Sequence, residues 1–279
     1  MRIERGAITS EAWRNRRAAA FPRAVRCGAV AVAATLAVLP SPARAASDPR
    51  ALAVAERLEA AMGGRQNLDS HPYLTFRFIV ERDGKAVADW FHAWDRTTGR
   101  YRLEGTREGK KLLVLFNVNS KKGEARLDGS PLDPGSAASQ LEFAYGRYIN
   151  DSYWLLMPWK WRDPGVTLGY EGERTLEGKT YEVVTLAFEQ VGLTPNDRYW
   201  GFVAKDTGLL ERWEFILQDD KGEPGNGSPS AFTWEEWTEV GGGLRLSLRK
   251  VKQGDGPAFT IRFTEVRFEK AADEAAFTP

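Results

Sequence analysis

Residues able to do acid–base or metal chemistry are few and scattered. His71 and His92 are the only imidazoles among 279 residues, and Cys27 is the single thiol. His92 lies between Trp90 and Trp94 at period two, so a strand would set all three side chains on one face. Asp95, a little further on, would face the other way. Neither His is followed by a second ligand at the fixed spacing of a zinc site. The sequence has no GxSxG, no HExxH, no Walker-type phosphate loop and no strand-linked GxGxxG. Its acidic residues spread over turns and polar faces, so no carboxylate pair for glycoside hydrolysis stands out. The sequence thus names no catalytic residue, no metal ligand and no cofactor. A secreted hydrolase or metal-dependent enzyme would need folding to bring Asp or Glu to His92.

Composition narrows the choice. With 39 Lys+Arg against 38 Asp+Glu, the net charge of +1 gives no electrostatic ground for a nucleic-acid partner. One Cys excludes an intramolecular disulfide framework. The unusual feature is aromatic content, 11% with ten Trp, and its densest stretch holds Tyr145, Tyr148, Tyr153, Trp154, Trp159 and Trp161.

The N-terminus reads as a secretory leader. Arg2, Arg5, Arg14, Arg16, Arg17, Arg23 and Arg26 precede an uncharged run over residues 28–39. Pro40 and Pro42 then break the helix, and Ala43-Arg44-Ala45 supplies small residues at the two positions a signal peptidase reads. Cleavage before Ala46 is expected, leaving residues 46–279 as one domain in the periplasm. The apolar run falls short of the roughly 20 residues a stable membrane anchor needs. Losing residues 1–45 removes eight Arg, two Glu and Cys27, so the net charge moves from +1 to −5.

The elements follow from periodicity and turns. Ser47 or Asp48 can cap a helix that Pro49 opens, with Leu52, Ala55, Leu58 and Met62 on one face and Gly63-Gly64 at its end. Five strands come next. Leu74, Phe76, Phe78 and Val80 alternate with polar neighbours, and Asp83-Gly84, Thr97-Thr98-Gly99, Glu108-Gly109 and Lys121-Lys122-Gly123 are turns, which makes an antiparallel meander. Residues 136–157 carry Leu141, Tyr145, Tyr148, Ser152 and Leu155 at spacings of three and four, which predicts a helix, with a break admitted at Asn150-Asp151. A second strand series is expected near 166–171, 180–188, 199–205, 209–217, 231–239, 244–251 and 258–269, with a long polar hairpin loop over 219–230. The expected class is mainly β (α+β): a curled antiparallel sheet of about eleven to twelve strands forming a half-barrel, with the two helices as lid or plug. The rings around the central helix then either fill the core beneath the sheet or close one end of a cavity.

This order of elements, with the terminal "DEAAFTP", resembles the periplasmic lipoprotein-localisation (LolA/LolB-like) superfamily. There an acidic residue, a Phe and a final Pro, here Asp273, Phe277 and Pro279, often end the domain. The segments "NDSYWLLMPWKWRDPGV" and "VGLTPNDRYWGFV" are similar to uncharacterised secreted relatives of that group rather than to the dedicated carrier. No Arg matches the one that latches the carrier's lid. The resemblance implies a concave apolar face, covered by helices, that receives acyl chains. The expected function is a monomeric, noncatalytic periplasmic binding or carrier protein for an apolar small molecule, lipid or acyl chain. Phe76, Phe78, Trp90, His92, Trp94, Tyr148 and Leu155 are the expected lining. An envelope assembly factor that binds a protein partner through a sheet edge is the other noncatalytic reading.

Overall fold

A computed structural model describes residues 46–188, 196–219 and 221–279. The expected leader, and residues 191–195 of the second motif, lie outside the described residues.

Two Asp-Pro pairs start the two long helices. Asp48 accepts a hydrogen bond from Arg50 N at 2.8 Å and opens α1, Pro49–Ala61, whose Ala51, Val54, Ala55 and Leu58 are buried at helical spacing. Asp133 accepts from Gly135 N and Ser136 N and opens α3, Pro134–Leu156. Between them lies the short α2, Arg65–Ser70. Pro158 falls in a 3₁₀ turn, Met157–Lys160, that ends the α3 segment. Gly63 follows α1 at φ +105°, and a Cβ there would stand 2.1 Å from the Gly243 carbonyl oxygen. Only glycine lets the helix end approach that turn so closely.

Among the described residues, thirteen antiparallel strands form one open sheet. They are β1 Tyr73–Arg82, β2 Lys85–Asp95, β3 Arg100–Arg107, β4 Lys110–Asn117, β5 Gly123–Leu127, β6 Ser130–Pro131, β7 Val166–Leu176, β8 Lys179–Phe188, β9 Arg198–Ala204, β10 Leu210–Ile216, β11 Ser230–Glu239, β12 Arg245–Gln253 and β13 Phe259–Glu269. Their spatial order is β6-β5-β4-β3-β2-β1-β13-β12-β11-β10-β9-β8-β7. Each half is a meander of neighbours in sequence. The halves join where the first strand pairs with the last, Phe78 opposite Phe263 and Val80 opposite Ile261.

This topology places α3. It follows one edge strand, β6, and precedes the opposite edge strand, β7, so the chain must cross a face of the sheet. Near its start α3 packs on β4 and β5, and near its end Trp154 meets Phe215 of β10 and Phe232 of β11. Laid flat, the eight strand spacings from β5 to β10 would measure about 38 Å. The helix from Ala137 to Trp154 rises only about 26 Å. A straight helix touches both ends because the sheet curls around it.

The expected architecture stands with three corrections of detail. The strands number thirteen rather than eleven or twelve, because the two-residue β6 is too short to show a period. The short α2 adds a third helix beyond the expected two. And α3 runs unbroken through Asn150-Asp151, since the Asp151 side chain is buried against the sheet and held there by partners. The polar segment 219–230 does connect β10 to β11, and Asp219 organises its start by accepting from Lys221 N and Glu223 N.

The C-terminal motif is tied down. Asp273 caps a 3₁₀ turn, Glu274–Phe277, whose Glu274 pairs with Arg100 at 2.6 Å while Phe277 lies under the same guanidinium and against Tyr73. Among the described residues no helix is long and apolar enough to cross a membrane.

Candidate functional site

The sheet face under α3 is mostly apolar along its central strands. Leu74, Phe76 and Phe78 of β1, Trp90 of β2, Tyr101 and Leu103 of β3, Val114 of β4 and Phe263 of β13 are all buried. Register makes this one surface. Phe78 sits opposite Trp90, Phe76 opposite His92, and Leu74 opposite Trp94, while His92 and Trp94 face Leu103 and Tyr101 on the next strand. The helix meets this surface with Ala137, Leu141, Ala144, Tyr148, Asp151 and Leu155, alternately four and three residues apart. One charged residue thus occupies an otherwise uncharged seam.

Asp151 is enclosed in a polar cluster. Its Oδ2 lies 3.1 Å from His92 Nε2 and 2.7 Å from Arg147 Nη2, one helical turn back. Both contacts are at ion-pair distance but too bent to count as well-formed hydrogen bonds. Asn150 Nδ2 donates to Asp151 Oδ1 at 2.9 Å. On the other side of the imidazole, Nδ1 is 2.8 Å from the Tyr101 hydroxyl, and Phe76 stacks on the ring at 4.3 Å. The Arg147 guanidinium lies over Phe78 at 5.0 Å and Trp90 at 5.7 Å.

The charge states follow. Burial pushes the His92 pKa below its ordinary value, with Asp151 opposing that shift. Burial also raises Tyr101 well above the usual tyrosine range, so its hydroxyl keeps the proton. A neutral His92 that accepts from Tyr101 at Nδ1 carries its hydrogen on Nε2, beside the Asp151 carboxylate. Arg147 balances the carboxylate. Both ring nitrogens are engaged and the side chain has no exposed surface. A general base must reach a substrate proton, and this imidazole offers none of its lone pairs outward. The arrangement fastens a helix to a sheet.

The structure gathers every residue expected at the site. Phe76, Phe78, Trp90, His92 and Leu155 are buried between sheet and helix, and Trp94 and Tyr148 are half-buried beside them. Tyr148 packs edge-on against Trp94 and Tyr101, each at 5.1 Å, and burial pushes its pKa up to about 12. The face is filled by side chains: α3 occupies it. Asp151, Arg147 and Tyr101 were missed by sequence reasoning. The signal for Asp151 was its place in the 137-141-144-148-151-155 stripe, where a carboxylate must find a cation.

Two features lie apart from the cluster. Lys250 of β12 is wholly buried on the same concave face. On the opposite face an open depression of about 410 Å³ is lined by Arg77, Phe91, Glu104, Lys111 and Glu265, with Arg77 paired to Asp89 and Glu265. Among the described residues no group of three His, Cys, Asp or Glu is placed to hold a metal ion.

No family model and no curated protein matches the sequence. Solved structures do. A DUF1329 family protein from Desulfovibrio piger ATCC 29098 aligns at 12% identity and a TM-score of 0.43, covering 83% of this chain and 98% of that one. A LolA superfamily protein from Nitrosomonas europaea aligns at 11% and 0.41, covering 82% and 97%. A domain assigned to outer membrane lipoprotein sorting from Vibrio parahaemolyticus aligns at 10% and 0.42, covering 82% and 96%.

Proposed function

We propose that this chain is a noncatalytic periplasmic carrier that holds an acyl chain, or a comparable apolar ligand, on its concave face, with α3 as a displaceable lid. The leader over residues 1–45 would direct residues 46–279 across the inner membrane as one domain. One observation carries the reading: a long helix spans the apolar face of an open sheet and is fixed in its C-terminal half by the buried His92–Asp151–Arg147 cluster. A helix that served only as core would be more stable with apolar residues in those positions, because buried ion pairs rarely repay their desolvation. Polar groups that water can solvate lower the cost of lifting the helix. Phe76, Phe78, Trp90, His92, Trp94, Tyr148 and Leu155 would then line the ligand, and each buried methylene would contribute about 0.8 kcal/mol against the contacts α3 gives up.

The test uses the chain purified from its own cell envelope. Lipid extraction and mass spectrometry should recover bound acyl compounds, and a fluorescent acyl probe should quench Trp emission. A protein that carries no lipid and leaves the probe unbound would sink the proposal.

A further inference from the structure

The closure of α3 makes no use of Lys250. This residue lies on β12, in register with Trp234 of β11 and Ile261 of β13, and its side chain is completely enclosed. Its Nζ sits 4.5 Å from the centre of the Trp234 ring and 4.3 Å from that of Phe263, and it donates to the Ser247 carbonyl oxygen. Among the described residues no carboxylate pairs with it. An ammonium has three hydrogens to place, and one carbonyl with two ring faces leaves it short of acceptors. The fold does not require an amine here, since a Met would fill the same space.

The surroundings show what it faces. Phe263 adjoins Phe78 at 5.3 Å and Phe76 at 6.1 Å, and Phe76 stacks on His92. Lys250 therefore borders the surface proposed above to take an acyl chain. His92 and Arg147, the other basic groups enclosed on that surface, are engaged with Asp151, so among the described residues Lys250 is the enclosed amine there with no carboxylate beside it. We infer that the ligand is a long-chain acyl compound with a single negative charge on its head, and that Lys250 is the head group's counter-ion. This rests on the acyl-binding reading. A fatty carboxylate and a single-chain phosphodiester lipid share that chemistry.

The proton balance gives the inference a signature. Burial without a counter-ion pushes the Lys250 pKa well below its ordinary value, which favours the neutral amine in the closed protein. An ionised head group then binds with uptake of a proton: R–COO⁻, Lys–NH₂ and H⁺ give the pair R–COO⁻···⁺H₃N–Lys. Affinity for the anion should weaken as pH rises from 7 to 9, by up to about tenfold per unit, while affinity for a neutral chain stays level.

The experiment compares oleate, oleyl alcohol and lyso-phosphatidylglycerol by calorimetry on the wild type and on Lys250→Met. In the wild type one or both anions should bind more tightly than the alcohol, taking up about one proton, and the tighter anion identifies the head. In Lys250→Met the ratio of anion to alcohol affinity should fall at least about tenfold and the proton uptake should vanish. Binding of all three with no proton uptake, and with a ratio untouched by the substitution, would overturn the head-group assignment and leave the acyl carrier standing. No binding of any of the three would overturn the carrier reading itself. If the variant did not fold, proton uptake and the pH slope of the wild type would decide alone.

Discussion

Asp151 on α3 and His92 on β2 face each other at 3.1 Å, and neither side chain has any solvent-exposed surface. Arg147 supplies the balancing charge from the same helix. The cluster joins the central helix to the central strands near the C-terminal end of the apolar seam. Its worth to stability depends on keeping the set intact.

Asp151→Leu alone leaves the nearly buried Arg147 without its carboxylate and should destabilise the fold by about 3 kcal/mol. Asp151→Leu with Arg147→Met removes both charges and should recover most of that loss, ending within about 1 kcal/mol of the wild type or above it. Urea unfolding of the two variants and the parent checks this. A double variant as weak as the single one would show that the helix is held by specific polar geometry.

Protonation of His92 supplies a pH dependence. Its folded pKa lies below the ordinary value of 6.5, so below that pH the unfolded chain binds the proton more readily. Stability is fully present above about pH 6.5 and is lost as pH falls towards the depressed folded pKa. Thermal melts between pH 7.5 and 5 should show a falling Tm for the wild type and a flatter profile for His92→Phe. Parallel profiles would place the acid sensitivity elsewhere.

Lys250 gives the complementary slope at the alkaline side. Its folded pKa is depressed well below 10.5, so stability should rise as pH increases from neutral towards 10 and the unfolded chain gives up its proton. Lys250→Met should remove that rise and stabilise the protein at pH 7 by about 1–4 kcal/mol. Denaturant titrations at pH 7 and 9.5 measure both. A destabilised Met variant would mean that the amine makes stronger contacts than one carbonyl and two rings.

Packing at the far end of the helical segment can be tested without touching charge. A Cβ on Gly201 of β9 would come within 2.4 Å of the Trp161 ring, which is itself buried. Gly201→Ala should cost about 1–3 kcal/mol through overpacking, although alanine suits a strand better than glycine. Urea unfolding with Trp fluorescence reads the loss and the displaced indole together.

Local features were legible and distant ones were not. Asp83-Gly84, Glu108-Gly109 and Glu177-Gly178 all adopt positive φ at both residues, the signature of two-residue hairpin turns, so the meanders were readable from dipeptides alone. Alternation likewise put Phe76, Phe78, Trp90 and His92 on the inner face. The seam between β1 and β13 left no such mark, because pairing residues remote in sequence depends on the whole chain. Asp151 was hidden for the same reason: its partner sits on a strand, and an isolated carboxylate beside Asn150 imitates a helix break. Lys250 was masked by Arg249 and Lys252, which make β12 look solvent-facing, though its parity with Leu246 and Leu248 pointed inward.

The pairing of the first strand with the last also sets the order of assembly. Thr75 and Glu265, which meet across that seam, are 190 residues apart. As the chain is made, β1 to β6 can form their hairpins early, while the outer side of β1 waits for the final strand to be delivered. From the completion of β1 until β13 is made, that edge of the first meander is therefore a bare ribbon edge open to another chain. Arg77 and Arg82 place charge on that strand, the kind of residue that discourages pairing with foreign strands.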